Sequence, residues 1–135
     1  MYHNILVPIS FDDDRDISGP LKLAGLLAAP DANITLLHVI EHIPGYAVSY
    51  LPENYLSEAR IAVQGKLDDM AEKIPNAQSV LIEGHSGRSI LDWMETHATD
   101  LIIIASHRPG MKDLLLGSTA AQVVRHAACA VHVVR

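Results

Sequence analysis

Gly117, Ser118 and Thr119 are small residues set between a long loop and a helix-forming run. Such a turn leaves backbone N–H groups free at the positive end of a helix dipole, which is what an anion needs. Upstream, Leu101–Ala105 is a continuous apolar, β-branched run, suited to a strand buried on both faces. The loop 106–116 carries His107, Arg108 and Lys112 together with Pro109 and Gly110. Downstream, the helix closes on Arg125 and His126, cations where the dipole favours them, and Ala130–Val134 reads as a last strand. Thr119 with Gln122 fits a capping box, with Ser118 as the alternative N-cap. The stretch reads as a phosphate cradle. A phosphate there gains about 0.3–1 kcal/mol from the dipole, up to about 2 when partly buried. Each charge-assisted N–H bond adds about 1.5–3 kcal/mol. Micromolar binding needs about 8 kcal/mol, so a base or sugar must pack in the same crevice.

Other elements have to place this cradle. Asn4–Ile9 reads as a first strand, followed by the acidic loop 10–16 with Asp12, Asp13 and Asp14. A helix through Leu21, Ala24, Leu26, Leu27 and Ala28 is capped by Ser18 or Asp16 and stopped by Pro30. Asn33–Ile40 is the second strand. The irregular stretch 41–52 follows, with Tyr46, Tyr50 and Tyr55 around it, either half-buried covers or a flap over a ligand site. The longest helix spans 53–74 on an apolar stripe of Leu56, Ala59, Val63, Leu67, Met70 and Ile74. A third strand, 79–83, turns tightly at Gly84–Gly87 into a helix opening at Ser86 or Ser89 and running to about Ala98.

Strict alternation of strand and helix with short connections predicts a parallel sheet with right-handed crossovers. Five strands and four helices give an α/β, doubly wound sheet of order 3-2-1-4-5 with helices on both faces, one domain over 1–135. Ligands of such sheets bind at the carboxyl ends of the strands, where the order reverses. That point lies between strands 1 and 4. Pro8, Ile9 and Ser10 then face Ala105 to Arg108, Val39 and Ile40 form the flank, and the helix at Ser118 aims its N-terminus between them.

The totals exclude several classes. A net charge of -6 argues against bulk binding of nucleic acid or an anionic membrane. No apolar run approaches the roughly 20 residues of a membrane span. A single cysteine, Cys129, fits a reducing compartment, and the N-terminus lacks the marks of a signal peptide, so a cytoplasmic location is expected. There is no GxSxG elbow, no GxxxxGK[ST] loop and no HExxH. The acidic run after strand 1 lacks the Asp after strand 3 and the Lys after strand 5 that a phosphate-accepting receiver domain requires. Catalysis is therefore not expected beyond very slow turnover, no metal site is expected among the eight histidines, and Cys129 reads as packing.

The opening ILVPIS and the closing ASHRP…LLGSTAAQVVRHAACAVHVVR together resemble the universal stress protein family along nearly the whole chain, most closely its enterobacterial F and G types. The resemblance implies a Rossmann-like, adenine nucleotide α hydrolase-like fold and a stress-response regulator holding ATP or AMP, with Mg²⁺ only as a companion of the ATP phosphates. It implies that Pro8, Ile9 and Ser10 border adenine and ribose and that Val39 offers backbone to the adenine edge. Ala105, His107 and Arg108 would line the phosphate loop, and Gly117, Ser118 and Thr119 would bind phosphate or ribose. The sequence departs from the family pattern where Ser10 replaces an Asp and where Ala105 replaces the first signature glycine. Those departures keep open a module of the same fold that binds no nucleotide. A slow ATPase or self-phosphorylating protein, with Ser118 or Thr119 as acceptor, is the third reading. The last strand, Ala130–Val134, is an apolar sheet edge without Pro or Lys, which predicts a homodimer through it.

Overall fold

The computed structural model describes residues 1–11, 17–106 and 116–135. The elements are β1 (Tyr2–Pro8), α1 (Ser18–Leu27), β2 (Ala28–Ile40), α2 (Gly45–Val48), α3 (Tyr55–Glu72), β3 (Ala77–Glu83), α4 (Ser86–Thr96), β4 (Leu101–Ala105), α5 (Ser118–His126) and β5 (Ala130–Val134). They build one five-stranded sheet of order β3-β2-β1-β4-β5 in which every pairing is parallel, as alternation of strands and helices requires.

Side chains alternate across the sheet and split the core in two. Ile5, Val7, Ile34, Leu36, Leu101 and Ile103 face one way, against Ala24 of α1 and Leu67 and Ala71 of α3. Leu6, Leu37, Ile102 and Ile104 face the other, against Ile90 and Met94 of α4 and Ala120 and Val123 of α5. Both faces of the central strands are thus covered, which explains their unbroken Ile/Leu/Val runs.

Several boundaries differ from the sequence expectation. Pro30 does not end α1; it is an exposed residue inside β2, which starts at Ala28. Tyr2 pairs with Ala28 and Asn4 with Asn33, so the register slips between them. Pro30 sits in that irregularity, where no ladder donor is needed. A one-turn helix, α2, occupies part of the stretch expected to be irregular, and none of its residues is buried. Tyr46 and Tyr50 are 79% and 88% exposed, so they do not act as half-buried covers. Of the expected stripe Leu67 alone is buried, Val63, Met70 and Ile74 are half-buried, and Leu56 and Ala59 stay exposed; the other buried residue of α3 is Ala71. β3 begins at Ala77, earlier than Ser79, because Asn76 takes a left-handed conformation (φ 62) that turns the chain directly out of α3. Gly84, with φ 154, makes the opposite turn from β3 towards α4, a conformation open to glycine.

Of the two caps expected for α1, Ser18 is already the first helical residue and the N-cap is Ile17 without a side-chain bond, while Asp16 lies outside the described residues. The capping box of α5 does not form either. Gly117 is the N-cap, and the Thr119 hydroxyl instead lies 2.9 Å from Ser86 Oγ on α4. After α4, Ala98 is held at φ 50, a left-handed position that costs an L-residue roughly 1–2 kcal/mol. Ala98→Gly removes the Cβ penalty at the expense of unfolded-chain entropy. It is expected to raise unfolding free energy by about 0.5–1 kcal/mol in urea titrations; an unchanged or lowered midpoint contradicts this account of the turn.

Candidate functional site

β1 and β4 separate before either strand ends. Their pairing stops at Leu6↔Ile102. Ile9, just past β1, donates to Leu37 of β2, so by alternation the even-numbered residues of β1 face β4. Pro8 is the next such residue, and proline has no N–H to continue the ladder. The strands part at the point where the strand order reverses.

A cavity of about 520 Å³ opens there. Its first wall is the end of β1, Pro8 and Ile9, with Ser10. The second is the end of β2, Leu37, His38 and Val39, with Glu41 just beyond. The third is Ser86 and Ile90 on α4. The fourth runs from Ile104, Ala105 and Ser106 of the β4 end to Gly117, Ser118, Thr119 and Ala120 at the start of α5. Pro8, Ile9, Ser10, Val39, Ala105, Gly117, Ser118 and Thr119, singled out from sequence, therefore meet around one space. His107 and Arg108 lie outside the described residues, as do Asp12, Asp13 and Asp14. None of Tyr46, Tyr50 and Tyr55 lines the cavity.

Local contacts fix the walls. Gly117 N–H donates to the Ser106 carbonyl at 2.5 Å, closing the loop base against the end of β4. A Cβ on Gly117 would stand 2.7 Å from that carbonyl oxygen, so glycine is required by close approach. A Cβ on Gly87 would run into the Gln122 side chain, so α4 and α5 lie close together. That contact sets Ser86 beside Thr119, and two helix N-termini open on the same cavity. The first N–H groups of each helix have no intrahelical acceptor.

On the β2 wall, Leu37 gives its carbonyl to Ile9 N–H (2.8 Å) and Ile40 gives its carbonyl to Gly84 N–H (2.9 Å). In a parallel ladder the N–H and C=O of one residue point to the same neighbour. Val39 therefore presents both towards β1, which has ended, and neither finds a partner among the described residues. The β2 and β4 ends flank β1, two interstrand spacings or about 10 Å apart. A hydrogen-bonding edge and a helix-start anion cradle thus face each other across the cavity. Glu41 is the one carboxylate among its described lining residues.

Sequence reasoning missed His38, Glu41, Ser86 and Ile90. The signal for Ser86 was present, since a turn Gly84–Gly87 opening a helix after a parallel strand also lies at the carboxyl edge. Among the described residues no three His, Cys, Asp or Glu side chains converge as a metal site. Cys129 is partly buried, and burial raises its thiol pKa, which disfavours the thiolate.

The universal stress protein family model matches residues 1–135. The chain belongs to that family. It is 30% identical to universal stress protein A homolog 2 of Coxiella burnetii, over 99% of this chain and 95% of the relative. It is also 30% identical to universal stress protein G of Salmonella typhimurium, over the full length of both. The solved universal stress protein UspA of Lactobacillus plantarum matches with a TM-score of 0.72 and 28% identity, over 99% of this chain and 98% of that one. Two more distant members share the fold and were solved with ligands. One is a universal stress protein in complex with cAMP (TM-score 0.68, 18% identity, 99% and 97% covered). The other, from Archaeoglobus fulgidus, is in complex with dAMP (TM-score 0.65, 15% identity, 99% and 98% covered).

Proposed function

We propose that the cavity binds an adenine nucleotide, ATP or AMP, and that this stress protein works as a nucleotide-responsive regulator in the cytoplasm rather than as an enzyme. The observation that carries this reading is the facing pair across the cavity. Val39 offers an adjacent backbone donor and acceptor, the complement of the N1 acceptor and N6 donor of adenine. The start of α5 offers Ser118 and Thr119 with free N–H groups to a phosphate about 10 Å away. Pro8, Ile9 and Ser10 then border base and ribose, while Ala105 and Gly117 belong to the phosphate side; His107 and Arg108, outside the described residues, are assigned to it from the sequence alone. Relatives of the same fold solved with cAMP and dAMP support the class of ligand. Mg²⁺ enters only with ATP phosphates. The described lining residues hold no Ser-His-Asp or paired-carboxylate arrangement for acid–base chemistry.

A second reading, an interaction module that binds no nucleotide, is favoured by Ser10 and Ala105, where the first would use an acceptor and a glycine. A third, slow hydrolysis or self-phosphorylation on Ser118 or Thr119, rests on the hydroxyls at the helix start.

The partner proposed for the chain is a second copy of itself. β5 is the sheet edge, and Val134 gives its carbonyl to the N–H of Ser106, just past β4, at 2.9 Å. By alternation Val131 and Val133 turn their backbone groups to the open edge, where an antiparallel copy of β5 can pair.

Calorimetric titration with ATP and with AMP is expected to give micromolar or tighter binding, and Gly117→Ala, whose Cβ would displace the Ser106 carbonyl, to weaken it at least tenfold. Turnover of ATP should stay far below about 1 per second. No binding by the wild-type protein overturns the nucleotide reading in favour of the interaction module; turnover at that rate overturns the non-enzymatic one. For the dimer, Val133→Pro removes an outward donor and leaves the β4 pairing intact, so sedimentation should change from dimer to monomer. A wild type that sediments as a monomer at high concentration contradicts the seam.

A further inference from the structure

The unpaired backbone of Val39 needs a cause, because the regular continuation of the β1–β2 ladder would consume it. After Ile9 N–H bonds the Leu37 carbonyl, the next rung is Val39 N–H to the Ile9 carbonyl. That rung is absent among the described residues. The Ile9 carbonyl is taken instead by a side chain, His38 Nδ1, at 2.7 Å. A carbonyl only accepts, so Nδ1 carries the proton and donates. The ring also packs on Phe11 in an edge-to-face pair, centroids 4.9 Å apart at 67°. The Lys66 ammonium in turn lies 6.0 Å from the Phe11 ring centre. The imidazole is thus a substitute rung, supplied from the residue next to the one it displaces.

We propose that His38 is a positioning residue for this cavity. It caps the Ile9 carbonyl, stops β1 from zipping further along β2, and so leaves the N–H and C=O of Val39 facing the cavity as a donor–acceptor pair. The inference rests on the nucleotide reading for what the pair recognises, and on the ladder geometry alone for why the pair is free. Its consequence is specificity for the base rather than for the phosphate. A 6-amino purine meets Val39 with acceptor opposite donor and donor opposite acceptor. A 6-oxo purine presents the reverse pattern and leaves both backbone groups mispaired, a loss that binding sites built on hydrogen bonds feel strongly.

The test combines hydrogen exchange with ligand discrimination on the intact chain. In the ligand-free wild type, the Val39 amide should exchange with little protection by NMR. In His38→Val, which removes the donor, Val39 should gain at least tenfold protection as its N–H moves onto the Ile9 carbonyl. His38→Asn, which keeps an N–H near the Nδ1 position, should restore fast exchange. In parallel, His38→Val should lose at least tenfold in affinity for AMP and most of the preference for AMP over inosine monophosphate. Affinity for ribose 5-phosphate, which has no base, should be unchanged, an outcome that general loosening of the fold would not produce. A wild type that binds no nucleotide but shows this exchange pattern removes the nucleotide reading and still supports the role of His38. A protected Val39 amide in the wild type, or protection that His38→Val leaves unchanged, overturns the proposal.

Discussion

A proline has no N–H, and the site depends on that absence at Pro8. The β1–β4 ladder runs to Leu6↔Ile102 and then lacks its next donor. Parallel strands buried on both faces gain by pairing as far as they can, so a crevice between two central strands requires something that stops them. At Pro8 the chain stops pairing with β4; one residue later, His38 stops it pairing with β2 by occupying the Ile9 carbonyl. Two neighbouring interruptions, one covalent and one from a side chain, turn the carboxyl edge of β1 into the floor of a cavity.

The rest of the fold makes these interruptions affordable. Ile5, Leu6 and Val7 are 1% exposed or less, sandwiched between the α1–α3 and α4–α5 layers. Each such side chain contributes about 1.5–3 kcal/mol by leaving water. That anchors β1 firmly enough for its last residues to leave the ladder. Small residues then let the surrounding elements close in. Gly117 touches the Ser106 carbonyl, and Gly87 admits the Gln122 side chain, which brings Ser86 to Thr119. The cavity is shaped less by large side chains than by where backbone is allowed to approach.

Much of this was legible in the sequence. β4 and β5 stand out as contiguous β-branched runs between turn residues, and alternation of strands with helices leads to the strand order and hence to the switch point. What stayed hidden was set by partners far away in the chain. Thr119 looked like a capping residue because its partner, Ser86, is 33 positions distant. His38 looked like one of eight similar histidines because Ile9 is 29 positions distant. Pro30 looked like a helix stop because only pairing with β1 reveals that the chain is already extended at Ala28. Tyr46 and Tyr50 suggested covers, yet no residue of α2 is buried, so that turn of helix does not pack them against the sheet.

The account stands on one claim, that a single ligand bridges the β2 edge and the start of α5. Amide chemical shifts recorded during titration with AMP test it directly. The account predicts that Val39 on one wall and Ser118 and Thr119 on the other shift together, with one common dissociation constant. Shifts confined to one wall, or saturation without any change at Val39, would contradict it.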